Sequence, residues 1–116
     1  MKTKAILLLC LFAITVQAQT LSKADIYFNK LADKIFLAEG GTHTRFAYGI
    51  KIKVKDPRAT CIKICKDAWS DYCLLGCKGD WIDYLGSIYA PTENATDDPN
   101  HLNKNWPVNV RALMAK

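Results

Sequence analysis

The chain has little of what marks membrane-spanning or hydrolytic proteins. None of its apolar runs reaches eighteen residues, which argues against a bilayer-spanning helix of ~20 residues. It has two histidines, His43 and His101, far apart, and no G-x-S-x-G or H-E-x-x-H motif, so neither a nucleophile elbow nor a zinc-protease site is written into it. No two Lys or Arg are adjacent, which leaves paired-basic cleavage of a peptide precursor without a site. No internal repeat is visible. What is present is 116 residues, half of them apolar, with 16 Lys+Arg against 11 Asp+Glu and five cysteines. That length allows one domain, the apolar share excludes a wholly disordered chain, and the mild basic excess is well short of a nucleic-acid-binding composition.

The first eighteen residues read as a secretory signal. Lys2 and Lys4 form the positive start, Ala5 to Val16 the apolar stretch, and Val16-Gln17-Ala18 places the cut after Ala18. Removing them takes 116 residues to 98, five cysteines to four by the loss of Cys10, and a net charge of +5 to +3. An even number of cysteines suits an exported protein in an oxidising compartment, and export makes nucleic acid an unsuitable partner. The expected organisation is a signal at 1–18, one disulfide-containing domain at 19–90, and a polar tail at 91–116 in which Trp106-Pro107 and Val108 to Met114 dock back.

From Leu21 to Glu39, Ala24, Phe28, Leu31, Ile35 and Ala38 recur at helical spacing, with Ser22 as cap and Gly40-Gly41 as stop. Between Thr44 and Lys55 the period changes to two: Phe46, Tyr48, Ile50, Ile52 and Val54 alternate with a basic set. This predicts a half-buried β-strand, kinked at Gly49, whose partner is a hairpin arm, a strand near Val108-Val110 or another molecule. Arg45, Lys51, Lys53 and Lys55 form a candidate binding face for anionic lipid, glycan or an acidic receptor. The more ordinary reading is a solvated face that blunts an edge strand. Asp56-Pro57 starts the next helix.

Cys61, Cys65, Cys73 and Cys77 follow the spacing C-x3-C-x7-C-x3-C. Within each pair the residues lie one helical turn apart and point along the helix, which is poor disulfide geometry. If the chain turns at Trp69-Ser70, two antiparallel helices are bridged twice, Cys61 to Cys77 and Cys65 to Cys73. The alternative is one continuous helix carrying a stripe of Cys61, Cys65, Trp69 and Cys73, whose thiols bond another chain in a disulfide-linked dimer or stay reduced. A metal site is the weakest of the three, since exported thiols oxidise.

The doubled C-x3-C framework from Cys61 to Cys77 resembles that of two-disulfide helical hairpins, the κ-type scorpion channel toxins and the plant α-hairpinins. The resemblance implies outer-to-outer and inner-to-inner bonding and, for the toxins, channel block by a Tyr and a Lys beside the cysteines. Here the positions after Cys61 and Cys73 are Ile62 and Leu74, so that dyad is missing, with Lys66 and Tyr72 as the available substitutes.

Lys78-Gly79-Asp80-Trp81 matches the KGDW sequence of integrin-binding disintegrins, although Gly79 and Asp80 also suit the stop of one helix and the cap of the next. Asn94-Ala95-Thr96 is an N-glycosylation sequon. No pattern calls for a cofactor or a metal, and Asp80 with Asp83 reads as exposed helix carboxylates rather than a catalytic pair. The expected fold is therefore a small secreted α+β domain: an amphipathic helix, a short β-region and a disulfide-braced helical hairpin. The expected function is a non-enzymatic, toxin-, pheromone- or signalling-like protein acting on a cell-surface receptor or ion channel. A cationic host-defence protein binding microbial membranes and an extracellular-matrix component are the alternatives.

Overall fold

The structure, a computed structural model, describes residues 21–92, 98 and 100–116. The secretory segment at 1–18 and the sequon at Asn94 lie outside the described residues. Helix α1 spans Lys23–Ala38, α2 Pro57–Leu74, α3 Trp81–Tyr89 and α4 Trp106–Met114. Short 3-10 turns occur at Gly41–His43, Ala47–Gly49 and Asn103–Asn105.

Three of the four α-helices start where a side chain satisfies one of the orphan amides. Ser22 accepts from the Asp25 amide at 3.1 Å, Asp56 from Ala59 at 3.0 Å, and Asp80 from Asp83 at 3.0 Å. Helix α1 stops at Gly40, whose φ of 107° few other residues adopt. Before α4, the buried Asp98 carboxylate accepts from the Leu102 and Asn103 amides at 2.7 and 3.0 Å.

The core lies where α1, α2, α3 and α4 meet. Leu31 and Ile35 of α1, Cys61 and Cys65 of α2, Leu85 of α3 and Val110 of α4 are wholly buried. Helix α4 packs on both α1 and α3, so the polar stretch after Ala90 carries part of the core through Trp106 and Val110. Trp106 stacks on Tyr89 at 5.3 Å and donates Nε1–H to Glu39 Oε1 at 2.7 Å, pinning α4 to the end of α1. Burial raises the Glu39 carboxyl above its ordinary range, against the lowering effects of the Trp106 bond and Lys51.

Two expectations are overturned. The fold is all-helical, with no strand among the described residues, rather than α+β. The alternation in Thr44–Lys55 has no partner strand to pair with, and a lone strand leaves its backbone unsatisfied. The chain instead folds back through the 3-10 turn at Ala47–Gly49, with Tyr48 at φ 59° and Gly49 at φ 70°. A Cβ at Gly49 would sit 2.9 Å from the Glu39 carboxyl carbon, so a side chain there would have to displace the end of Glu39. Beyond it Ile52, expected on the buried face, is 73% exposed.

The helical hairpin is also absent: Pro57–Leu74 is one continuous helix, with Trp69 and Ser70 in its interior. Nothing from Ile62 to Tyr72 breaks a helix, for the stretch lacks Gly and Pro, and Lys63 pairs with Asp67 one turn on at 2.6 Å. Cys65 and Cys73 are therefore eight residues apart along one rod, ~12 Å at the helical rise, far beyond disulfide reach.

Candidate functional site

Three helices bring aromatic side chains to one surface. Trp69 and Tyr72 lie one turn apart on α2, Trp81 and Tyr84 one turn apart on α3, and Tyr27 and Phe28 side by side on α1. Trp69 and Trp81 meet edge to face at 5.0 Å, and Tyr72 touches Trp69, Trp81 and Tyr84 at centroid distances of 5.5 to 5.7 Å. Such contacts each add about 0.5–1.5 kcal/mol beyond area burial. They hold the rings as a rigid wall. Trp81 Nε1–H donates to the Tyr27 hydroxyl at 2.9 Å, tying α3 to α1. Burial pushes that hydroxyl's pKa up, so Tyr27 is neutral and free to accept.

Between these walls runs an open apolar groove of about 530 Å³, lined by Lys23, Ala24, Tyr27, Phe28, Trp69 and Trp81. Trp69 is 40% exposed, an unusual state for the largest side chain. Lys23 supplies the charged group of the lining. On the flank, Lys66 pairs with Asp25 at 2.8 Å, joining α2 to α1, and with Ser22 holds the Asp25 carboxyl below its ordinary range. A more polar cleft of about 440 Å³ lies between α3 and α4, with Asp83, Ser87, Asn103 and Lys104 on its walls. The aromatic groove is the better binding surface, because rigid apolar walls with few polar groups hold partners more tightly.

The residues expected to bind fall in different places. Tyr72 is buried in the aromatic wall, with its hydroxyl donating to the Gly79 carbonyl at 2.6 Å, and Lys66 is held by Asp25. The Lys66 and Tyr72 dyad is thus structural support behind the groove. In the KGDW stretch Lys78 is exposed and Gly79 has φ 78°, but the Asp80 carboxylate caps α3 and pairs with Arg111 at 3.0 Å. It is not presented to a receptor metal. Arg45 lies over the Phe46 ring at 4.8 Å, while Lys51, Lys53 and Lys55 are exposed on the loop before α2.

The cysteines separate by environment. Cys61 and Cys65 are wholly buried, whereas Cys73 and Cys77 are exposed. Within each C-x3-C pair the two residues approach to 3.8–4.2 Å and are unbridged. The Cys65 thiol is pushed up by its neighbour Cys61 and by burial, whereas the bond with Cys65 pulls the Cys61 thiol down against burial. Tyr89 stands beside it, its buried hydroxyl without a hydrogen-bond partner and pushed up by burial and by Cys61. Among the described residues no group of three His, Cys, Asp or Glu side chains is arranged to hold a metal ion, and no helix is long and apolar enough to cross a membrane.

Sequence reasoning missed Tyr27, Phe28, Trp69 and Trp81 as one site. The available signal was the repeated aromatic spacing of three in Trp69-Tyr72 and Trp81-Tyr84. Against known proteins, the chain matches no family model, no curated protein and no solved structure.

Proposed function

We propose that this is a secreted, non-enzymatic binding protein that acts on a cell-surface receptor or ion channel through the aromatic groove of α1, α2 and α3. Export rests on the signal pattern before Gln19. The observation that carries the binding role is the exposed Trp69 set on a rigid aromatic wall beside Lys23. Interface energy concentrates in such pre-ordered aromatic anchors, because little side-chain entropy is lost when they are covered. The complementary partner surface is an apolar knob with an acidic group placed for Lys23.

Saturable binding of the labelled protein to cell membranes tests this. Trp69→Ala, a change at a half-exposed position that leaves the fold intact by circular dichroism, should weaken binding about 30-fold or more, the loss of a ~2 kcal/mol anchor. Unchanged binding by the variant removes the groove from the interface.

A membrane-binding, host-defence role is the second reading, and Ile52 supports it: an apolar side chain 73% exposed between Lys51 and Lys53 suits an anionic lipid surface. Salt-dependent sedimentation with anionic vesicles, lost when Lys51, Lys53 and Lys55 become Gln, favours that role. No vesicle binding beside a saturable cell-surface site favours the first.

A further inference from the structure

We propose that Cys73 and Cys77 bond to each other, as a covalent clasp over the C-terminal end of α2. The backbone there already brings them together. Helix α2 ends in a Schellman turn: the Cys77 amide donates to the Tyr72 carbonyl at 3.0 Å, the Gly76 amide to the Cys73 carbonyl at 3.1 Å, and Gly76 has φ 93°. This turn folds the chain back over the last helical turn. Cys77, itself at φ 54°, thereby comes to face Cys73. The Tyr72 hydroxyl bonds the carbonyls of Cys77 and Gly79 and holds the returning chain in place.

The two C-x3-C pairs approach equally closely, to 3.8–4.2 Å, and differ in the backbone that carries them. Cys61 and Cys65 lie inside a regular helix, where Cβ atoms four residues apart are ≈ 5–6 Å from each other, beyond the ≈ 3.5–4.5 Å that a disulfide requires. The second pair straddles the helix end, so that restriction does not apply to it. Cys73 and Cys77 are exposed to an oxidant, and Cys61 and Cys65 are not.

A small-molecule disulfide such as oxidised glutathione is a sufficient co-reactant. One cysteine thiolate attacks a glutathione sulfur and displaces the first glutathione, giving a mixed disulfide. The second cysteine then attacks the protein sulfur of that mixed disulfide, forming the Cys73–Cys77 bond and releasing the second glutathione. Both cysteine protons leave with the two glutathione thiols.

Peptide mapping of the full chain tests the assignment. The protein is reduced under native conditions, re-oxidised with excess oxidised glutathione, alkylated in denaturant and cut with trypsin. Cleavage after Lys66 and Lys78 puts Cys73 and Cys77 in one peptide, and cleavage after Lys63 separates Cys61 from Cys65. The expected result is an unalkylated 67–78 peptide, two hydrogens lighter than its dithiol form. In Cys73→Ser, Cys77 should instead carry glutathione. A 67–78 peptide joined to a Cys61 or Cys65 peptide overturns the proposal, as does a covalent dimer through Cys73 or Cys77, or a 67–78 peptide alkylated at both positions.

Discussion

Gly86 lies in the middle of α3 at the closest approach of α4, and its replacement by alanine tests how that approach is built. A Cβ there would meet Pro107 Cγ at 2.8 Å and Trp106 Cε3 at 3.3 Å. Pro107 is a rigid ring in the first turn of α4, so relief requires α4 to move away. That motion strains the Trp106 bond to Glu39 and the stack on Tyr89. Two effects oppose each other. Alanine in place of a helical glycine gains about 1 kcal/mol of helix propensity, whereas overpacking costs about 1–3 kcal/mol, so Gly86→Ala should be destabilising by about 1 kcal/mol. Thermal unfolding followed by circular dichroism should show Tm falling by about 4–8 °C for each 1 kcal/mol. Pro107→Ala removes the colliding ring atoms. In that background Gly86→Ala should be neutral or stabilising, with a coupling of about 1–2 kcal/mol between the two sites. A Gly86→Ala variant that melts at or above the parent temperature, or a double variant whose changes simply add, refutes the contact as the reason for this glycine.

Other outcomes follow from the core and its titrating edges. Ile35→Ala removes a wholly buried side chain and should cost about 2–5 kcal/mol in denaturant unfolding. Burial holds the Glu39 pKa above its ordinary 4.5; the associated stability is full below the ordinary value and is lost as pH rises through the folded one. Glu39→Gln keeps an acceptor for Trp106, so its melting temperature should exceed the parent's at neutral pH, with the gap closing on acidification. Asp80 has the opposite sign: the Asp83 amide and then Arg111 hold it below its ordinary 3.8, so its contribution is present above that value and lost as pH falls through the folded one. Asp80→Ala should cost about 1 kcal/mol as a lost cap, and Asp80→Asn, which still caps, should lose less, both read from urea midpoints.

The helix starts were legible because capping chemistry is local. Ser22, Asp56 with Pro57, and Gly79 with Asp80 announce α1, α2 and α3, and each capping carboxylate or hydroxyl is bonded where its helix begins. The β-region was misread because alternation from Phe46 to Val54 carries no statement about a pairing strand, and without one it does not even bury its apolar side, as the exposed Ile52 shows. The hairpin was misread because cysteines four apart suit two short helices or one long one. Only the absence of a breaker between Cys65 and Cys73 distinguishes them, and Trp69-Ser70 was too weak a turn to outweigh it. The groove depends on three helices converging, which no single stretch encodes.

The bond between Trp106 and Glu39 joins residues 67 positions apart, and this sets the order in which the molecule can assemble. Local helices form early, but Glu39 at the end of α1 has to wait 67 positions for its α4 partner, a long loop to close for an all-helical fold. During synthesis the α1 face carrying Leu31 and Ile35 therefore stays incompletely covered until the segment containing Trp106 and Val110 has emerged.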